Sequence, residues 1–294
     1  MTDSRQAASL AVLREITAAV GLSAAGAEPI RLAENDLWRL PGNIVVRISR
    51  GGQEAAAARE VAVTRWLADH DVPAVRPLPM DQPIVAGGRP ATFWEELPPH
   101  RPGTAVDLAP LLRRLHDLPP PDFPLGTWDP FVRLDTRIAA ARSISDDDRG
   151  WLLRRLETLR REWLNLPPGQ PECVIHGDAW GGNCALTADG PVLLDFERTS
   201  LGRPEWDLTA VAVEHDTLAE LSEAEYRRFC DAYGTDVMTW PGYPTLRGIR
   251  ELRKVTFAFQ IADQDPNAMP LAHYRIACLQ GHHGPRPWTW TAVA

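Results

Sequence analysis

Two short apolar runs, Cys184-Ala185-Leu186 and Pro191-Val192-Leu193-Leu194, flank Thr187-Ala188-Asp189-Gly190. Asp-Gly between apolar runs specifies a β-hairpin, because these residues tolerate the left-handed backbone of a tight turn. No other feature constrains the chain as much. The hairpin returns the residue after its second strand to the side of the residue before its first. Those residues are Asp195 and Asn183, respectively. Upstream, Cys173-Val174-Ile175 reads as a short buried strand. It delivers His176-Gly177-Asp178-Ala179-Trp180-Gly181-Gly182 to the foot of the hairpin.

The expected consequence is a convergence of three oxygen-bearing side chains, Asp178, Asn183 and Asp195. Mg²⁺ is a hard cation that takes oxygen ligands and keeps phosphates in its shell. Two of the three side chains, Asn183 and Asp195, suit such an ion. The third, Asp178, is then free to accept a proton from a substrate hydroxyl. A lone His-Gly-Asp is a common turn, in which Asp and Asn cap backbone groups. The chemical reading rests on the whole string with its Asn, hairpin and second Asp.

His-x-Asp, four residues, Asn, a hairpin and Asp-Phe resembles the protein-kinase pattern His-Arg-Asp-x4-Asn followed by Asp-Phe-Gly. With Gly177 after the His and Asp195-Phe196-Glu197 in place of Asp-Phe-Gly, the stretch resembles the aminoglycoside phosphotransferase family, relatives of choline and other small-molecule kinases. Pro204-Glu205-Trp206-Asp207-Leu208 is similar to that family's Pro-x-x-Asp-Leu element.

The resemblance implies a two-lobed α+β fold of protein-kinase type. A small N-terminal antiparallel-sheet lobe with a helix, residues 1–98, would bind nucleotide. A larger, mainly helical C-terminal lobe, residues 99–294, would carry catalysis and the acceptor. It implies transfer of the γ-phosphoryl group of ATP or GTP, with Mg²⁺, to a hydroxyl of a small molecule. The foremost acceptor is an aminoglycoside or another amine-rich antibiotic. Choline, an amino alcohol or a sugar is the alternative, and a kinase-fold binding protein without turnover is a third reading.

Composition narrows the partners. The chain has 294 residues and a net charge of −8, which argues against nonspecific nucleic-acid binding and suits a cationic small molecule. No run of eighteen apolar residues and no basic-then-apolar leader is found, so no membrane span and a cytoplasmic protein are expected. Four cysteines, at 173, 184, 230 and 278, have neither metal nor disulfide-scaffold spacing. A monomer or homodimer is expected.

Helices are expected over residues 4–20, 54–69, 106–118, 146–166, 205–215, 222–233, 245–261 and 267–280. Ser222 and Glu225 form a capping box for one of them. Strands are expected at 30–32, 36–40, 43–48, 75–79 and 91–97, with Pro41-Gly42 as a hairpin turn and a lobe boundary near 96–101.

Of 31 basic residues only Lys254 is lysine. The phosphate-contacting lysine of kinases therefore has no counterpart in the N-terminal half. Arg47, the lone charge in Val45-Val46-Arg47-Ile48, stands at that place, and a planar arginine fork suits a phosphate or carboxylate. Glu60 on the following helix is its expected partner. A glycine-rich phosphate loop is absent, and Asn35, in Ala33-Glu34-Asn35-Asp36, is a candidate to offer an amide to the phosphates, with an ordinary turn role as the alternative. His176, His116 and Asp207 read as structural. Trp180 and Glu205 are candidates for the acceptor pocket. Glu214, Asp216, Glu220, Asp263 and Asp265 form a wider acidic set, and Trp288 and Trp290 are candidates to close the acceptor side.

Overall fold

The computed structural model describes residues 2–290. It comprises two compact units, Met1–Gly126 with Gly181–Thr199, and Thr127–Trp180 with Ser200–Ala294. The architecture is α+β, an antiparallel sheet in the N-terminal part and helices in the C-terminal part.

Helix α1 (Thr2–Ala19) ends where Gly21 adopts φ 72°, and the Leu22 amide closes back onto the Thr17 carbonyl. This is the glycine stop expected from the sequence. Strands β1 (Glu28–Leu32), β2 (Asp36–Leu40) and β3 (Ile44–Ile48) follow, then α2 (Glu54–Asp69), β4 (Ile84–Ala86) and β5 (Arg89–Glu95). They form one antiparallel sheet in the order β1-β2-β3-β5-β4. The Pro41-Gly42 turn is made with Gly42 at φ 90° and Asn43 at φ 60°.

Alternation along β3 sends Val46 and Ile48 into a core with Leu13, Ile16, Trp38 and Phe93. Burying each such side chain contributes about 1.5–3 kcal/mol. Arg47 leaves from the opposite face of the strand.

The strand expected at 75–79 does not form, because Pro77 and Pro79 have no amide to donate to a ladder. Pro77 makes an isolated bridge to Trp94, and the Leu78 amide bonds the Phe93 carbonyl. The strand β4 had no signal beyond the Gly87-Gly88 turn that closes it.

Beyond the sheet come β6 (Arg101–Pro102) and α3 (Ala105–His116), whose start carries a Thr104–Asp107 capping box. In the second unit, α4 (Leu134–Ala140), α5 (Asp146–Leu164) and β7 (Cys173–Ile175) follow. The chain then re-enters the first unit for β8 (Cys184–Thr187) and β9 (Gly190–Leu193), joined by the expected hairpin. β6 pairs with β8, and the Val75 amide bonds the Leu193 carbonyl. These bonds, with α3 packed on β8 and β9, carry the first unit past the boundary expected near residues 96–101.

The second unit resumes with β10 (Ser200–Gly202), antiparallel to β7, then α6 (Pro204–Asp216), α7 (Glu223–Tyr233), α8 (Tyr243–Ala262) and α9 (Met269–Leu279). The Ser222–Glu225 capping box is present at α7. Its core gathers Leu152, Leu156, Ile175, Trp206, Ile249, Phe259, Trp288 and Trp290. Trp288 and Trp290 are thus packing residues, although the sequence made them candidates to close the acceptor side. Among the described residues no helix is long and apolar enough to cross a membrane.

Candidate active site

Within the first unit, the hairpin register fixes Asn183 and Asp195. Cys184 pairs with Leu193, and the Leu194 amide donates to the Asn183 carbonyl at 3.0 Å. Asp195 therefore follows the residue bonded to Asn183. Asp195 adopts φ 60°, a left-handed conformation that Asp and Asn tolerate better than other side chains. Its Oδ1 is buried and has no hydrogen-bond partner, a state that costs free energy unless a ligand is recruited.

Arg47 sits beside this pair. Its Nη1 donates to both carboxylate oxygens of Glu60, at 2.7 and 2.6 Å, and its Nη2 to Glu197 Oε2 at 2.7 Å. With its amide oriented to satisfy both neighbours, Asn35 presents its oxygen to Arg47 Nε at 3.2 Å and Nη2 at 2.7 Å. All five N–H groups of the guanidinium are thereby engaged. Glu60 also accepts a backbone hydrogen bond from Phe196, and Arg59 Nη2 donates to the Glu197 carbonyl at 3.1 Å. Helix α2 and strand β3 thus hold the Asp195-Phe196-Glu197 segment directly.

Burial opposes the Arg47 charge, but the Glu60, Asp195 and Glu197 carboxylates outweigh it and hold its pKa above the usual arginine value. Burial pushes the Glu60 carboxyl up to about 7, and Asp195 and Glu197 add to the rise while Arg47 opposes it. One arginine serves a crowd of carboxylates.

The second unit carries the His176-Gly177-Asp178 segment. Asp207, fully buried on α6, accepts the His176 amide at 2.7 Å and the Gly177 amide at 2.9 Å. Trp206 Nε1 donates to the Gly177 carbonyl at 3.1 Å. Gly177 has φ 82°, a conformation that a side chain would strain. The buried His176 ring takes the Asp178 amide on Nδ1 at 3.3 Å. The Pro-Glu-Trp-Asp-Leu element is therefore a clamp on the loop that bears Asp178. Asp178 precedes Asn183 by five residues, and the chain passes between the units after Trp180.

Other expected site residues are placed differently. Glu205 is buried. Its Oε1 accepts the Gln170 amide at 2.6 Å and its Oε2 has no partner, so it braces the turn before β7. Trp180 is half exposed. Asp216 pairs with Arg247 and accepts from the Tyr243 hydroxyl. Asp263 accepts the Arg142 and Ser143 amides, and Asp265 caps a short turn at Asn267. These three acids are occupied by the fold. Glu197 is the residue that sequence reasoning passed over: it stood in the quoted motif, but nothing signalled that it would share Arg47 with Glu60.

No group of three or more His, Cys, Asp or Glu side chains forms a metal cluster among the described residues. One Asp and one Asn would offer two oxygen ligands, a number that suits an ion whose remaining positions go to phosphate and water. The orphaned Asp195 Oδ1 fits that use.

An antiparallel sheet with one helix bonded through an Arg–Glu pair, an Asn-hairpin-Asp motif and a mainly helical C-terminal part define a kinase-like phosphotransferase fold. The model of the phosphotransferase enzyme family (APH) matches residues 27–249, and the chain belongs to that family. Among solved structures, the choline kinase LicA from Streptococcus pneumoniae is similar at 17% identity and TM-score 0.63, covering 91% of this chain and 98% of its own. A choline/ethanolamine kinase family protein from Mesorhizobium loti is similar at 18% identity and TM-score 0.61, covering 87% of each chain. The aminoglycoside phosphotransferase APH(3'')-Id from Streptomyces rimosus is similar at 23% identity and TM-score 0.59, covering 83% of this chain and 98% of its own. It has also been solved with ADP and streptomycin. Among proteins with curated function none matches the sequence.

Proposed function

We propose that the protein transfers the γ-phosphoryl group of ATP or GTP to a hydroxyl of an amine-bearing small molecule, with Mg²⁺. The observation that carries this reading is the buried, unpartnered Asp195 Oδ1 beside Asn183. In this reading Asn183 and Asp195 are the metal ligands and Asp178 is the general base. Asp178 orients the acceptor hydroxyl and takes its proton. Bound Mg²⁺ supplies neutralisation of charge on the phosphate oxygens. Arg47 and Glu60 belong to the nucleotide side together with Asn35. Because every Arg47 donor is engaged, its chief work is to hold Glu60, Glu197 and the neighbouring Asp195 in place. Residues 1–98 are assigned to nucleotide and residues 99–294 to catalysis and acceptor, with Trp180 as the acceptor-side candidate, since Glu205 is committed to the turn before β7. Positioning and electrostatics dominate this chemistry, so no covalent intermediate is required.

An aminoglycoside or another amine-rich antibiotic is the acceptor proposed from the sequence. Similarity to an aminoglycoside phosphotransferase of known structure supports it. Choline or another amino alcohol is the second reading, supported by the similarity to two choline kinase-type proteins. An ATP-consumption assay over both acceptor classes tests the reaction. Asp178→Asn is expected to lower kcat by about 10²–10⁴, the usual scale of general-base loss, with Mg-ATP binding retained. Full turnover in that variant would remove Asp178 from the mechanism. Absence of any Mg-ATP binding or turnover in the wild type would favour a binding protein without catalysis.

A further inference from the structure

Asn35 and Asp36 stand side by side at the turn between β1 and β2 and serve opposite faces of the sheet. Asn35 meets Arg47 on the face that carries Glu60 and Glu197. Asp36 opens β2 directly opposite Ile48, and residues opposite one another on paired strands share a face. Its carboxylate therefore lies on the core side, where it is only 2% exposed. A charge buried there costs free energy unless it is paired and hydrogen-bonded. The partners come from two other elements.

On α1, Ser9 Oγ donates to Asp36 Oδ2 at 2.9 Å and accepts the Trp38 Nε1 hydrogen at 2.9 Å. Arg5, one turn earlier on the same helix, reaches Asp36 Oδ1 at 3.3 Å and also donates to the Ala33 carbonyl. From β5, Arg89 Nη1 pairs with Asp36 Oδ2 at 2.9 Å, while its Nε and Nη2 hold the Ser49 and Ile48 carbonyls at 2.9 and 3.1 Å. The turn 33–35 is thus gripped from behind at both ends. Arg5 holds the carbonyl of its first residue, and Arg5, Ser9 and Arg89 hold the residue after its last. All of these groups belong to the first unit, and the reaction scheme above gives none of them a task.

We infer that Arg5 is a positioning residue for the nucleotide, acting with Ser9 and Arg89 through Asp36 and the Ala33 carbonyl. These three side chains bond neither Asn35 nor Arg47. They fix the turn, and the turn fixes the Asn35 amide beside Arg47. An amide held ready on a short turn avoids the cost of ordering that turn when the phosphates arrive. This inference rests on the phosphotransferase reading, in which Asn35 serves the phosphates, and adds a remote anchor to it. A second arginine, Arg50, grips the same turn through Glu34, but those side chains are 57% and 67% exposed. Ion pairs so exposed contribute little, which makes Arg50 an internal control.

Calorimetric titration of Mg-ATP into the full chain tests the anchor. The Arg5 side chain is 53% exposed, so Arg5→Met is expected to fold. It should weaken Mg-ATP binding about three- to tenfold, the scale of one intramolecular hydrogen bond. Arg50→Met removes the same charge from the same turn and should change the affinity less than about twofold. Arg5→Lys keeps a donor for the Ala33 carbonyl and Asp36 and should recover most of the affinity. Arg5→Met combined with Asn35→Ala should bind Mg-ATP no more weakly than Asn35→Ala alone, because the anchor acts only through Asn35. Equal losses from Arg5→Met in the two backgrounds overturn the inference, as do equal losses in Arg5→Met and Arg50→Met. So does wild-type affinity in Arg5→Met or in Asn35→Ala. A wild type that binds no Mg-ATP strikes the phosphotransferase reading itself.

Discussion

Arg47 Nη1 is shared between the two carboxylate oxygens of Glu60, at 2.7 and 2.6 Å. The other donors of the same guanidinium reach Glu197 and Asn35. The planar five-donor fork joins strand, helix, the Asn35 loop and the Asp195-Phe196-Glu197 segment in one contact set.

A lysine cannot reproduce that set, because its three donors radiate from one point. Arg47→Lys is expected to lose about 1–3 kcal/mol of stability and to raise the KM for Mg-ATP, and Arg47→Met is expected to lose more by leaving Glu60 buried without a counter-charge. Urea denaturation and nucleotide titration check both. A stable Arg47→Lys variant with unchanged KM would show that the fork is dispensable.

Glu60 sets a pH dependence. With its carboxyl raised from the ordinary 4.5 to about 7, the folded state holds the proton more tightly than the unfolded chain. This contribution to stability is full below pH about 4.5 and is lost as pH rises through 7. Glu214, raised to about 7 chiefly by burial, acts with the same sign. The thermal unfolding midpoint of the wild type is therefore expected to fall between pH 5 and 8. Glu60→Gln should flatten part of that slope, whatever it does to the absolute midpoint. An unaltered slope in Glu60→Gln would place the titration elsewhere.

The hairpin was legible because Asp-Gly between apolar runs is a local signal, and local signals also marked α2 and the α7 capping box. The stretch 75–79 has the apolar content of a strand, but the prolines at 77 and 79 deprive it of ladder donors. The partners of Asp216 and Asp263 were illegible for another reason. Asp216 meets Arg247, and Asp263 meets the backbone of 142–143. Such pairings depend on helix packing over tens to more than a hundred residues, and periodicity carries no trace of them. Glu197 bonds Arg47 across 150 residues, a contact that no spacing rule encodes.

Asp207 joins fold to loop. It is fully buried and accepts two backbone amides, so Asp207→Ala would leave both donors unsatisfied at about 1–3 kcal/mol each. The expected variant is several kcal/mol less stable and loses most of its activity through displacement of the Asp178 loop. Asp207→Asn, which keeps one acceptor, should fall between. Denaturant midpoints and turnover should therefore decline in the same order. Wild-type stability in Asp207→Ala would contradict the clamp.

The most direct test of the account is calorimetric titration of Mg-ATP into the wild type and into Asp195→Asn. Asn tolerates the left-handed backbone at this position and removes a charge that pushes the Glu60 carboxyl up, while Arg47 keeps Glu60 and Glu197 as partners. The fold is therefore expected to be at least as stable in EDTA. Mg-ATP affinity is expected to fall at least about tenfold, equivalent to about 1.4 kcal/mol, and the wild-type affinity should collapse in EDTA. Unchanged Mg-ATP affinity in Asp195→Asn would contradict the account.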